Sequence, residues 1–113
     1  MGKTRAKQDD YPADDPNRRR HVINFQGHGD AAFPTQGVSY EALTLQKLPN
    51  YDVGGTVHFI KNNQLGFTTM QHLEGRSFRY SSDVVKPFGV PVIHVNAYSP
   101  EDVVKMSKLA IQY

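Results

Sequence analysis

The sequence predicts an α/β fold with a parallel sheet and crossover helices. Three short apolar runs carry this: residues 21–26 with Val22, Ile23 and Phe25, residues 56–61, and residues 90–96. The segments that separate and follow them have helical periodicity or caps. The order is strand, helix, strand, short helix, strand, helix, which argues for parallel pairing through right-handed crossovers. The third observation is spacing. Gly29-Asp30 and Asn62-Asn63 each follow a run, and Asp30 and Asn63 lie 33 residues apart, about one crossover unit. Parallel neighbours end side by side. Asp30 and Asn63 would then face one another in the crevice outside the sheet where open α/β sheets bind ligands.

Length and composition bound the rest. At 113 residues the chain is at most one domain with a modest core. A net charge of +2 is too small to argue for nucleic acid. Its basic residues gather near the start, at Lys3, Arg5, Lys7, Arg18, Arg19 and Arg20, and read as a solvated arm. There is no cysteine, hence neither disulfide nor thiolate metal site. No apolar run approaches the ~18 residues of a membrane span. Residues 1–8 lack the apolar core of a signal peptide, and Asp9 and Asp10 make a poor transit peptide.

Taken in order, residues 1–20 are polar, hold Pro12 and Pro16, and read as a loop or disordered arm. Residues 21–26 form the first strand. Residues 27–30 form a tight turn whose glycines allow close backbone approach to a ligand. Residues 36–46 form a helix, with Val38, Ala42 and Leu45 on one face. Leu48-Pro49-Asn50 ends it. Residues 56–61 are β-branched and aromatic, bounded by Gly54-Gly55 and Asn62-Asn63, and form the second strand. Residues 66–81 are irregular, with Arg76 and Arg79 in a surface loop near the site. A short helix over residues 82–88 takes Ser82 as its cap, Gly89 past its end, and Pro87 as a limit on its length. Residues 90–96 form the third strand. Ser99 then caps a helix with Pro100 in first position and Asp102 closing a capping-box-like arrangement. Val103, Met106, Ala110 and Tyr113 line one face of it.

The candidate chemistry centres on Asp30 and Asn63. A carboxylate and an amide oxygen are hard donors that suit Mg²⁺, which is held by few protein ligands plus phosphate oxygens. His28 abuts Asp30 and is a candidate for shaping the site or taking part in catalysis. His58 lies within a strand, His94 is similar, and His72 belongs to an exposed loop. These histidines lack zinc-ligand spacing. Glu41 reads as a solvated helix charge.

The chain resembles the E1 component of 2-oxoglutarate dehydrogenase, and equally its 2-oxoadipate-preferring paralogue. The resemblance rests on Gly29-Asp30-Ala31-Ala32-Phe33, Gln36-Gly37-Val38, Tyr40-Glu41, Leu48-Pro49, Gly54-Gly55-Thr56-Val57-His58 and residues 62–69. It extends to residues 2–8, Gly75-Arg76-Ser77, Asp83 and His94-Val95-Asn96. Residues 63–69 differ from what transketolases and pyruvate dehydrogenase E1 carry there. Pro34-Thr35 departs from the family pattern, and Pro34 removes a backbone donor beside the cofactor loop.

The resemblance implies thiamine diphosphate and Mg²⁺ as cofactors. Asp30, Asn63 and the Leu65 carbonyl would ligate the cation, and the Ala31 and Ala32 N–H groups would approach the diphosphate. It implies oxidative decarboxylation of a 2-oxo acid, with acyl transfer to lipoamide on an E2 partner, in a homodimeric enzyme. Glu41 would lie near the subunit interface. The glutamate that activates the cofactor's aminopyrimidine belongs to another domain, so no catalytic acid or base is assigned here. Residues 21–113 would be part of the thiamine diphosphate-binding domain, and a chain this short is expected to be inactive alone. The location would be the mitochondrial matrix in a eukaryote and the cytoplasm in a bacterium. The alternative is a non-catalytic truncated remnant or an interaction partner of full-length E1.

Overall fold

A parallel pair of strands sits at the centre of the computed structural model, which describes residues 1–8, 12–70 and 75–113. Strands β1 (Phe25–Gly29) and β2 (Val57–Lys61) pair from Phe25↔Val57 to Gly29↔Lys61. The β-branched and aromatic content of Val57-His58-Phe59-Ile60 favours a pleated conformation. The α/β expectation and the parallel pairing hold. The first strand, however, starts later than its apolar run and continues through the glycines expected to form a turn. Pairing decides this. The ladder is entered where Val57 N–H donates to the Asn24 carbonyl (2.9 Å) and Asn24 Nδ2 donates to Thr56 Oγ1 (3.1 Å). Upstream, residues Arg18–His21 are wound into a 3₁₀ turn and pair with no described strand. The tight turn falls at Asp30 instead.

The first residues are not wholly loop. Helix α1 (Gly2–Arg5) buries Ala6 behind it, and Lys3 Nζ donates to the Asp52 carbonyl at 2.7 Å. A long lysine stem spans that distance while keeping its charge near water.

Between the strands lie α2 (Ala32–Thr35) and α3 (Val38–Leu45). Pro34 sits within the first turn of α2, where its missing N–H would lack a helical partner anyway. Gly37, at φ 75°, makes the bend between the helices in the left-handed region that glycine enters without strain. The face of α3 that is buried differs from the one the periodicity selects. Leu43 is buried, whereas Val38 and Ala42 are exposed. The 3₁₀ helix Ser81–Phe88 lies across the Leu43 side, with Phe88 edge-on to Tyr40 at 5.1 Å. The core is small: Phe33, Leu43 and Val85, flanked by Ile60, Val84, Phe88 and Val90.

After β2 the chain makes a short hairpin where irregular chain is expected, β3 (Leu65–Gly66) against β4 (Thr69–Met70). The 3₁₀ helix Ser81–Phe88 begins one residue before its expected start, with Tyr80 rather than Ser82 as cap. Tyr80 N–H donates to Asp83 Oδ2 at 2.9 Å. Gly89 ends it at φ 63°, as expected.

Residues 90–96 do not form the expected third strand. They pair with no described strand, and Val92, Ile93 and Val95 stay 37–43% exposed. Valine and isoleucine content favours extension, but a ladder needs a neighbour. Helix α4 (Pro100–Gln112) follows with Val103, Met106 and Ala110 half-buried, while Tyr113 is exposed. Ser99 Oγ donates to Asp102 Oδ2 at 2.7 Å, and its hydroxyl oxygen caps no helix N–H among the described residues. His72 and the Arg19 side chain lie outside the described residues. No helix among the described residues is long and apolar enough to cross a membrane.

Candidate ligand cavity at the carboxyl ends of the strands

The register that pairs Gly29 with Lys61 brings Asp30 and residues 62–63 out at the same end of the sheet. This is the crevice position expected of an open α/β sheet. A cavity of about 290 Å³ opens there, lined by Asp30, Ala31, Thr35, Gly66, Thr69, Gly75 and Arg76. Gly66 packs directly on Ala31, and a Cβ at Gly66 would meet the Ala31 methyl at 3.1 Å. Glycine thus lets the hairpin close against the turn that carries Asp30.

Asp30 is 1% exposed, and neither carboxylate oxygen accepts a hydrogen bond from the described residues. Its backbone carbonyl is instead well served, accepting from Ser81 Oγ (2.8 Å) and Arg76 Nη1 (3.2 Å). Among the described residues the carboxylate has a charged neighbour in Arg76, whose Nη1 lies 3.5 Å from Oδ2 and whose side chain is only 3% exposed. Burying a carboxylate without hydrogen bonds is costly, so its retention here calls for a reason beyond packing.

The structure brings Asp30 and Ala31 into the cavity, but not every expected residue. Asn63 is exposed, and its Oδ1 accepts the Leu65 N–H at 3.1 Å in a local turn. The Leu65 side chain is 53% exposed, and Ala32 starts α2 outside the lining. Arg76, Thr35, Thr69 and Gly75 line the cavity without having been assigned a role from sequence. Thr35 Oγ1 donates to the Ala31 carbonyl at 2.6 Å. Gly75-Arg76-Ser77 was legible as a match, but nothing local ties Arg76 to a residue 46 positions earlier. Among the described residues no group of three or more His, Cys, Asp or Glu comes together.

His28 does not line the cavity. It faces the core side of the sheet, where its Nε2 and His58 Nδ1 share a hydrogen bond at 2.9 Å. The rings stack at 5.1 Å, and Phe33 lies edge-on to His28 at 4.8 Å. Burial lowers the His28 pKa from 6.5. Burial lowers that of His58 too, and the neighbouring His28 charge lowers it further. The unfolded chain therefore binds protons near 6.5 that the folded chain refuses. Stability is complete above that pH and falls as the pH drops toward the lowered values. Urea midpoints are expected to decline between about pH 7.5 and about pH 5, and His58→Gln to flatten the decline. A midpoint with equal pH dependence in the variant would refute the assignment.

Fold and cavity together define a parallel βαβ unit with a buried, unsatisfied carboxylate at the ligand end of its sheet. Comparison with known proteins narrows this. The profile of the family described as "Dehydrogenase E1 component" matches residues 2–113, and the chain belongs to that family. It is 44% identical to the 2-oxoglutarate dehydrogenase E1 component of Bacillus pumilus over 99% of its own length. It is 47% identical to the 2-oxoadipate dehydrogenase complex component E1 of Homo sapiens, and 46% to that of Rattus norvegicus, over its full length. The chain spans only 12–13% of the length of these relatives.

Proposed function

We propose that residues 21–113 are the diphosphate- and Mg²⁺-binding part of a thiamine-dependent 2-oxo acid dehydrogenase E1. The observation that carries the reading is the Asp30 carboxylate, buried and unsatisfied beside a cavity at the carboxyl ends of two parallel strands. The donor set supports a hard cation: the Asp30 carboxylate, the Asn63 amide oxygen and the Leu65 carbonyl are all oxygen ligands. Few protein ligands suffice because Mg²⁺ completes its shell with phosphate oxygens and water. Asn63 Oδ1 would exchange the Leu65 N–H for the cation. The N–H groups of Ala31 and Ala32 would serve the diphosphate. Glycine at position 66 keeps the hairpin close to this ligand end.

When bound, thiamine diphosphate supplies the electron sink for decarboxylating a 2-oxo acid, and the protein binds and orients it. The substrate class is a dicarboxylic 2-oxo acid, because relatives of both the oxoglutarate and the oxoadipate type match over the whole chain. The acyl product would pass to lipoamide on an E2 partner, in a homodimeric E1, in the mitochondrial matrix or the bacterial cytoplasm. His28 has no role in this reading beyond supporting the strand.

Calorimetric titration of the 113-residue chain with thiamine diphosphate tests the proposal. Saturable heat is expected with Mg²⁺ and none with EDTA. Heat that is indifferent to the metal, or no heat from a chain folded by circular dichroism, would count against it.

A further inference from the structure

Arg76 and Asp30 are both nearly excluded from water, yet they satisfy one another poorly. Nη1 stands 3.5 Å from Oδ2 and donates to the Asp30 backbone carbonyl rather than to the carboxylate. Nη2 donates weakly to the Arg79 carbonyl at 3.5 Å, and Nε is buried with no partner among the described residues. A guanidinium offers five donors and a carboxylate about four acceptor sites, so this pair leaves most of both unused. A buried ion pair is worth keeping only where its geometry is good or another role retains it. Both groups line the same cavity.

We propose that Arg76 is the resident counter-ion of Asp30. A divalent cation displaces it from the carboxylate, and the freed guanidinium turns onto the diphosphate the cation brings. This rests on the cofactor reading for its second half only. The first half follows from charge. A cation at coordination distance from Oδ2 and a guanidinium 3.5 Å from the same oxygen repel one another, so the two compete for that place. The planar fork of arginine matches phosphate bidentately, which a lysine would not reproduce. Arg76 thereby offsets the charge of Asp30 when the cation is absent and that of the diphosphate when it is present.

Titration with Mg²⁺ alone, on the wild-type chain and on Arg76→Gln, reads the exchange. Removing the competitor is expected to tighten Mg²⁺ binding about tenfold. Thiamine diphosphate binding in saturating Mg²⁺ is expected to weaken about tenfold. A folded Arg76→Gln chain with unchanged or weaker Mg²⁺ affinity overturns the proposal, as does a wild-type chain that binds no Mg²⁺. Because the glutamine leaves Asp30 without its counter-ion, the unaltered chain is measured as well. The ¹⁵N signal of Arg76 Nε, assigned by its loss in Arg76→Lys, should shift and exchange faster with water as Mg²⁺ saturates. A signal that stays put at saturation overturns the proposal. If Mg²⁺ moves Arg76 but thiamine diphosphate does not bind, the exchange stands and the cofactor reading fails. If the cofactor binds while Arg76 remains on Asp30, the cofactor reading stands and the exchange fails.

Discussion

Asp30→Ala is expected to abolish Mg²⁺-dependent binding of thiamine diphosphate and to destabilise the chain by about 3–5 kcal/mol. The two losses have different causes. Binding is lost because the buried, unsatisfied carboxylate is gone. Stability is lost because the Arg76 guanidinium, with a side chain 3% exposed, is left buried opposite a methyl group. The backbone at position 30 still accepts from Ser81 Oγ, so the turn itself persists. A small domain has about 5–15 kcal/mol in hand, so the single variant sits close to unfolding. The double variant Asp30→Ala/Arg76→Met separates the effects. Replacing both charges by apolar groups should return most of the stability and none of the binding. Urea denaturation gives the first readout and calorimetry the second. An Asp30→Ala chain as stable as the wild type would show that Arg76 does not depend on its partner. A double variant that binds cofactor would remove Asp30 from the site.

What was legible in the sequence followed from local rules, and what was not depended on contacts between distant segments. The parallel pair and the joint exit of Asp30 and residues 62–63 were readable, because a strand of Val-His-Phe-Ile type and a crossover spacing are both written in the chain. The Gly89 stop was readable for the same reason, since only local backbone geometry is involved. The extent of β1 was not, because it is set by where Val57 begins and not by where Val22 and Ile23 lie. Residues 90–96 show the same limit from the other side: a strand composition with no ladder to join. The buried face of α3 turned on which side the 3₁₀ helix Ser81–Phe88 approached, and that selected Leu43 over Val38 and Ala42. The β3–β4 hairpin depends on Gln64 and Phe67 adopting φ of 62° and 58°, a conformation neither residue type advertises. Arg76, expected in a surface loop near the site, was the costliest misreading. An arginine among serines and tyrosines reads as exposed until the chain is folded and its side chain proves to be buried on Asp30.

Phe33→Ala is expected to cost about 3–5 kcal/mol. Phe33 is 3% exposed in a core whose other buried members are Leu43 and Val85, so little surrounds the cavity that could collapse into it. Its ring also shields the histidine pair, at 4.8 Å from His28 and 5.7 Å from His58. Truncation should therefore admit water to both rings and return their pKa values toward 6.5, flattening the pH dependence of whatever stability remains. Phe67→Ala is the matched control. That ring is 100% exposed, and its loss should change stability by no more than about 0.5 kcal/mol. Phe33→Leu, which keeps most of the apolar volume, should fall between the two and hold the histidine shifts in part. Chemical denaturation across the pH range, with ring-proton titration by NMR, follows both quantities at once. Stability lost without any change in the histidine titrations would mean that the sheet, and not Phe33, keeps the pair dry. Both effects together would make Phe33 the joint between the core and the strand that delivers Asp30 to the cavity.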